Sequence, residues 1–201
     1  MKNRLILASE SPRRYELLKP LGLEFDRVPS NVKEDSARGE SPEQHVLRLA
    51  ESKGLEVGNR YPDCWVIAAD TIVFIHGAIL GKPESRGEAL EMLHQLSGQE
   101  HRVITGFSVR HLAKGVGDRE AVQTTVRVKP LTPPEMEWYV KTGEPFDKAG
   151  GYAIQGIGAF MIQSIHGSYT NVVGLPMSEL TQMMVRLGAM TISDCGFRIA
   201  D

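Results

Sequence analysis

One stretch of this 201-residue sequence limits the possible folds more than any other. Residues 64–69 form a continuous apolar run, Asp70 and Thr71 interrupt it, and apolar residues resume over 72–75. A short apolar run of this kind is typical of a buried strand. A carboxylate is costly to bury unless it is paired or binds a metal, so Asp70 is a candidate functional residue at the end of that strand. The alternative is that Asp70 caps a helix or lies in a surface turn.

Strand and helix patterns alternate along the rest of the chain. Strands are predicted at 4–8, 24–29, 102–111, 121–128 and 160–165, with loops at 114–118 and 143–156. Helices are predicted to begin near Ser11, Ser41, Ser85, Pro133 and Pro176, where hydroxyl residues or prolines precede apolar positions at helical spacing. We therefore expect an α/β fold, with a mixed sheet flanked by helices and a cleft formed by loops at one end of the sheet. Residues 1–187 are expected to form one unit, and 188–201 a C-terminal extension.

Composition excludes several function classes. The formal net charge is −2, which does not favour a general affinity for nucleic acid. No stretch is long enough for a membrane span, and the apolar run at 5–8 is too short for a signal peptide, so we expect a cytoplasmic protein. Cys64 and Cys195 are expected to be reduced thiols. The two cysteines and six scattered histidines form no metal-ligand spacing, so a zinc site is not expected.

A basic cluster rich in hydroxyl groups lies at the first predicted strand-to-helix junction. It consists of Ser9, Ser11, Pro12, Arg13 and Arg14. The start of a helix offers unpaired N–H groups and a partial positive charge, which suit a phosphate group. The arginines and hydroxyls add further hydrogen-bond donors. The alternative is that the serines only cap the helix and the arginines lie on the surface.

Four further side chains are weaker candidates. Lys82, in a turn, could reach a phosphate as a point charge, and Gln155, in a loop rich in glycine and charge, could bind a base edge. Glu34, in a polar loop, carries the oxygen ligands that suit Mg²⁺ or Mn²⁺, and Lys53 lies on a predicted helix. The ordinary interpretation of each is a solvated side chain. The sequence contains neither a Walker-type phosphate loop nor a GxGxxG motif after a strand, and no arrangement that suggests a covalent nucleophile.

Taken together, these segments resemble the Maf family of nucleoside triphosphate pyrophosphatases from about Leu5 to Leu187. The matching motifs are Ser9-x-Ser11-Pro12-Arg13-Arg14, Ala69-Asp70-Thr71, Leu80-Gly81-Lys82-Pro83, His101-Arg102-Val103-Ile104-Thr105-Gly106, Gly143-Glu144-Pro145-x-Asp147-Lys148-Ala149-Gly150, Tyr152-x-Ile154-Gln155-Gly156 and Asn171-Val172-Val173-Gly174-Leu175-Pro176. Several ordered motifs at appropriate spacing are far more specific than any one of them.

The resemblance implies a fold and an activity. The fold would be an elongated α/β architecture related to house-cleaning inosine triphosphatases, with a central cleft between two lobes. The activity would be hydrolysis of a nucleoside triphosphate to the monophosphate and pyrophosphate. Ala69-Asp70-Thr71 is similar to the motif of the subgroup that acts on dTTP and UTP. The subgroup that acts on 7-methyl-GTP more often has Ser-Asp-Gln at these positions. A homodimer is also implied by the resemblance.

The resemblance also assigns roles to individual residues. Asp70 matches the acid that accepts a proton, and Arg13, Thr71 and Gln155 match positions associated with base preference. Our hypothesis is that Glu34 and Asp70 hold a divalent cation such as Mg²⁺ or Mn²⁺ on the phosphates. The side chains expected to neutralise the triphosphate are Ser9, Arg13, Arg14, Lys53 and Lys82.

Two positions depart from the family pattern. Lys33 stands where the family often has aspartate, and a cation beside Glu34 would compete with a metal ion. Gly151 replaces a more usual alanine. Lys33 favours the alternative function of a catalytically weak nucleotide-binding regulator of cell division and septum formation.

Overall fold

The computed structural model describes residues 4–35, 37, 39–191 and 193, which contain seven strands and six α-helices. The strands are β1 (Leu5–Leu7), β2 (Phe25–Arg27), β3 (Trp65–Ile75), β4 (Ala78–Leu80), β5 (Glu100–His111), β6 (Val116–Val128) and β7 (Ile162–His166). The helices are α1 (Pro12–Leu18), α2 (Pro42–Arg60), α3 (Arg86–Leu96), α4 (Pro133–Lys141), α5 (Tyr169–Val173) and α6 (Met177–Leu187). No helix in this described part of the chain has both the length and the apolar character needed to cross a membrane.

The strands form one mixed sheet, as the alternating pattern predicts. Their order is β2-β1-β3-β5-β6-β7, and β4 pairs with β3. β1 is parallel to both β2 and β3, whereas β4 and β7 are antiparallel to β3 and β6 respectively. The predicted α/β class with a mixed sheet is therefore confirmed.

The chain divides into two compact units. The first comprises 1–70, 105–121 and 174–201, and the second comprises 71–104 and 122–173, so β3, β5 and β6 each contribute residues to both. The single unit over 1–187, the C-terminal extension and the cleft remain predictions. Most of the extension lies outside the described residues, and so does Cys195.

The first unit packs α2 against the parallel strands. The helix begins at a capping box, in which Ser41 accepts a hydrogen bond from the Gln44 amide and Gln44 accepts one from the Ser41 amide. Val57 packs in an apolar cluster whose other buried members are Ile6, Ala8, Cys64, Val66 and Ala68. Ser108 Oγ on β5 donates to the carbonyl of Ala50 at 2.9 Å. The prediction of a reduced thiol at Cys64 is confirmed, and this side chain is buried.

Two predicted strand boundaries are wrong. β3 does not end at Asp70 but continues to Ile75, because the backbone after Asp70 pairs with β4 and an ion pair compensates the buried carboxylate. β6 begins at Val116 rather than near 121, so the turn before it covers only residues 112–115. Residues 116–120 are exposed, and four of these five residues are glycine or charged, so no alternating apolar pattern indicates a strand there.

The second unit has a large apolar core that also encloses a histidine. Leu93 and Leu96 of α3 and Tyr139 of α4 are among its buried members. His101 is 2% exposed, and its Nε2 lies 2.6 Å from the hydroxyl oxygen of Tyr152. Burial lowers the pKa of His101 from its ordinary 6.5 to about 4.

This histidine is expected to make the stability of the protein depend on pH. Between pH 6.5 and 4 the unfolded chain binds a proton at His101 that the folded protein does not, so the free energy of unfolding falls as the pH falls. At pH 5 the loss is ~2 kcal/mol relative to pH 7.5. Urea unfolding of the wild type and of His101→Gln at both pH values measures it. An equal pH dependence in the two proteins would contradict the assignment to His101.

Candidate functional site

Asp70 lies within β3 and forms a buried ion pair with Lys53 of α2. The two residues are 6% and 7% exposed, and Lys53 Nζ donates to Asp70 Oδ1 at 2.7 Å. The ordinary interpretation of Lys53 as an exposed helix lysine is therefore wrong. A carboxylate and an ammonium group can be buried here because each neutralises the other, and removing either would leave an unpaired buried charge.

Glu34 joins the same pair from the polar loop after β2. Its Oε1 accepts a hydrogen bond from Lys53 Nζ at 2.6 Å, while its side chain remains 53% exposed. One ammonium nitrogen thus contacts both carboxylates that the sequence analysis proposes as metal ligands. Lys53 is therefore a cation in direct contact with Glu34, and the side chain of Lys33 is exposed.

Arg14 fixes the backbone next to Asp70. Its Nη1 donates to the carbonyl of Ala69 at 2.9 Å, and its Nε donates to the carbonyl of Gly174 at 2.8 Å. Nη1 also lies 3.2 Å from Ser9 Oγ, to which it donates. Burial lowers the pKa of Arg14, and the nearby charges of Asp70 and Glu34 oppose that shift. This guanidinium therefore holds the strand that carries Asp70, a role that the sequence does not indicate.

The junction before α1 is built by both serines of the predicted cluster. Ser11 is the N-cap, and its Oγ accepts a hydrogen bond from the Arg14 amide at 3.4 Å, while Pro12 occupies the first helical position. Ser9 is buried, and its Oγ accepts a hydrogen bond from the Ser11 amide at 3.2 Å. Helix capping by Ser11 is confirmed, but the surface position expected for both arginines in that interpretation is wrong for Arg14, whose guanidinium donates to two backbone carbonyls. Arg13, in the first turn, is half-buried.

Three predicted site residues belong to the second unit. Thr71 is a half-buried residue of β3, whereas Lys82 and Gln155 are exposed. The segment that carries Lys82 lies against the glycine-rich loop, since the Gly150 amide donates to the Gly81 carbonyl at 2.8 Å. Five predicted residues thus come together in the first unit, namely Ser9, Arg14, Glu34, Lys53 and Asp70.

The glycine-rich loop is more regular than its composition suggests. It contains short 3-10 helices at Glu144–Asp147 and Ala149–Gly151. The carboxylate of Glu144 accepts hydrogen bonds from the Tyr139 hydroxyl at 3.0 Å and from the amides of Ile157 and Gly158 at 3.0 and 2.8 Å. Glu144 therefore fixes the backbone just after Gln155, and only its place in the glycine-rich motif could have indicated this.

A second charged group at the loop that carries Glu34 was not predicted from the sequence. Glu40 ends the polar loop, and its carboxylate contacts His45 and Arg48 of α2. The spacing of the two basic residues by three positions would have placed them on one side of a helix. The sequence contains no sign of the residue that they contact, because Glu40 lies in a loop.

The donor atoms at Asp70 fit a small divalent cation. Glu34 and Asp70 converge on one ammonium position, and Mg²⁺ commonly binds to one or two carboxylates together with substrate phosphates and water. Among the described residues no group of three or more His, Cys, Asp or Glu side chains could hold a metal by itself. In the described part of the chain these two carboxylates would supply the protein ligands of such a site.

Comparison with known proteins identifies relatives over nearly the whole chain. A family model described as "Maf-like protein" matches residues 4–187. A protein of Syntrophus aciditrophicus named dTTP/UTP pyrophosphatase is 48% identical, and the alignment covers 96% of this chain and 94% of the relative. Proteins of the same name from Syntrophotalea carbinolica and Geotalea uraniireducens are 50% and 48% identical, covering 94% of this chain and 86% and 97% of the relatives.

Proposed function

The chain belongs to the Maf family, and we propose that it hydrolyses dTTP and UTP to the monophosphate and pyrophosphate. The observation that carries this proposal is the buried contact of Asp70 with Lys53, which Glu34 joins, in a chain 48% identical to a dTTP/UTP pyrophosphatase. A carboxylate held in this way beside a second carboxylate suits water activation at a phosphate group.

In the proposed mechanism Asp70 is the general base. A water molecule attacks at the anhydride between the α- and β-phosphates, the bridging P–O bond breaks, and pyrophosphate leaves. The proton of the attacking water passes to the Asp70 carboxylate. Lys53 orients that carboxylate through the 2.7 Å hydrogen bond, and Arg14 fixes the strand by holding the Ala69 carbonyl. Pre-organised groups of this kind need no reorganisation during the reaction.

Charge neutralisation is the second part of the mechanism. We propose that Glu34 and Asp70 hold a divalent cation, which would supply positive charge to the phosphate oxygens. Ser9, Arg13, Arg14, Lys53 and Lys82 are proposed to contact the triphosphate. Arg14 and Ser9 bond to each other and to the backbone, and these bonds would orient both side chains for that contact.

The location and the oligomeric state of the protein are also proposals. We propose a cytoplasmic location and a homodimer, as the family resemblance implies. The alternative of a catalytically weak regulator of cell division is not favoured, because the relatives of this chain are named as pyrophosphatases. The contact of Glu34 with Lys53 supports a proposed site in which a cation lies next to this carboxylate.

A pyrophosphate-release assay tests the proposed function. The purified protein is incubated with Mg²⁺ or Mn²⁺ and with dTTP, UTP, dCTP, dATP, dGTP or 7-methyl-GTP at concentrations below KM. We expect kcat/KM for dTTP and UTP to exceed the others by about tenfold or more, with pyrophosphate and monophosphate as products. Release of orthophosphate, or nucleotide binding without turnover, would contradict the proposal.

Gln155 is proposed to recognise the base, and its removal is expected to reduce base discrimination. The imide edge of thymine or uracil offers both a donor and an acceptor, which match the carbonyl and amide groups of glutamine. In Gln155→Ala the ratio of kcat/KM for dTTP to that for dCTP is expected to fall about tenfold. Gln99→Ala, which alters another exposed glutamine of the second unit, is the control. An unchanged ratio would refute this role.

A further inference from the structure

The loop that carries Glu34 runs along one side of α2. Four described residues of the 29–40 loop contact the helix in reverse order, so the start of the loop contacts the end of the helix. The contacts are Arg60 Nη2 to the Pro29 carbonyl at 2.8 Å, the Asn31 amide to Glu56 Oε2 at 3.4 Å, Lys53 Nζ to Glu34 at 2.6 Å, and Arg48 Nη2 to the Asp35 carbonyl at 2.9 Å. Each of these four contacts is a hydrogen bond, and the contact of Lys53 with Glu34 is also an ion pair.

A bidentate ion pair between Arg48 and Glu40 holds the end of the loop on α2. Arg48 Nε donates to Glu40 Oε2 at 2.8 Å and Arg48 Nη2 donates to Glu40 Oε1 at 2.7 Å. His45 Nδ1 lies 2.5 Å from the same Oε1, and the Glu40 side chain is 12% exposed. The hydrogen bonds from Arg48 hold the pKa of Glu40 well below its ordinary value. Paired bonds of this geometry fix both partners in orientation as well as in distance.

Arg48 also reaches the residue that follows Glu34. The Nη2 group that contacts Glu40 donates to the Asp35 carbonyl as well. One guanidinium thus ties two points of the loop, five residues apart, to a helix that carries Lys53 a little more than one turn further on. Since Glu34 is directly joined to Asp35, the position of its Cα depends on this anchor.

We propose that Arg48 and Glu40 are positioning residues that hold the 29–40 loop so that Glu34 reaches the Lys53–Asp70 pair. This inference rests on the proposed function of that site. A displacement of about 1 Å can cost a large part of a site's efficiency. Loss of the anchor therefore weakens binding of the metal–nucleotide complex through Glu34, while Asp70 and Lys53 keep their own contact.

The test compares Arg48→Met in two backgrounds. Binding of α,β-methylene-dTTP with Mg²⁺ is measured by titration calorimetry, together with the Mg²⁺ concentration that gives half-maximal dTTP turnover. In the wild-type background we expect Arg48→Met to raise the Kd of the analogue and the half-maximal Mg²⁺ concentration about tenfold each. We expect kcat to change less than threefold. In a Glu34→Gln background the same substitution is expected to change each value less than twofold, because its effect acts through Glu34.

Matched variants separate positioning from general loss of structure. Glu40→Gln is expected to act in the same direction as Arg48→Met, and the double variant is expected to be no worse than Arg48→Met alone. Arg186→Met removes another arginine ion pair of the same unit, with Asp118, and is expected to leave both values unchanged.

Equal effects of Arg48→Met in both backgrounds, or no effect in either, would overturn the inference. Failure of the wild type to turn over dTTP or UTP while it binds the analogue would reject the proposed function alone, and failure to bind the analogue would reject both.

Discussion

Replacing Asp70 with asparagine is expected to lower kcat for dTTP hydrolysis by about a hundredfold or more. The amide has nearly the shape of the carboxylate but cannot accept the proton of the attacking water at neutral pH. Lys53 would also face a neutral oxygen in place of a charged one, so its hydrogen bond of 2.7 Å would weaken. Steady-state kinetics with dTTP and Mg²⁺ measure the change.

The control for this variant is Asp63→Asn. Asp63 is an exposed aspartate shortly before the same strand, and its loss is expected to leave kcat within about twofold. Circular dichroism and thermal unfolding show whether Asp70→Asn remains folded, since one buried ammonium group loses a partner. Near-normal turnover by a folded Asp70→Asn protein would refute the assignment of Asp70 as general base.

Replacing Gly106 with alanine is expected to destabilise the protein by about 3 kcal/mol. A Cβ atom there would lie 2.4 Å from the carbonyl oxygen of Val46 and 2.8 Å from the amide nitrogen of Leu47. Both are backbone atoms of α2, so the whole helix would have to move away from β5. Because α2 also carries Lys53, we expect dTTP turnover to fall together with the free energy of unfolding.

Urea unfolding measures the stability of this variant against a matched one. Gly87 is the second residue of α3, and a Cβ there would have the Ser85 hydroxyl oxygen, at 3.9 Å, as its nearest neighbour. Gly87→Ala is therefore expected to leave the free energy of unfolding unchanged or to raise it by about 0.5–1 kcal/mol. A Gly106→Ala protein as stable as the wild type would show that α2 can move at little cost.

Close approach also explains why a glycine of the family motif is needed at position 106. The backbone of Gly106 does not have a positive φ, so conformational freedom is not the reason for glycine there. The sequence places Gly106 in a strand pattern, where it would be expected to weaken the strand. Only the packing of the helix on β5 gives the position its physical reason, because the contact joins segments sixty residues apart.

Signals that act between near neighbours in the chain predicted much of the fold. The serine–proline start of α2 and the serine before α3 correctly indicated helix starts, because capping depends on residues within one turn. The apolar run after residue 64 correctly indicated a buried strand. The end of β3 was wrong, because its continuation past Asp70 depends on pairing with β4 and on an ion pair with another element.

The sequence by itself determined the family, the mixed α/β class and the identity of Asp70 as a residue of interest. It could not determine which residue is the buried partner of Asp70, since Lys53 looked like any helix lysine. Nor could it predict that Arg14 donates hydrogen bonds to two backbone carbonyls, or that Arg48 donates one to the loop that carries Glu34. Capping and apolar periodicity are read within a few residues, whereas these ion pairs and hydrogen bonds join residues 13 to 160 positions apart and exist only once the sheet and α2 have packed.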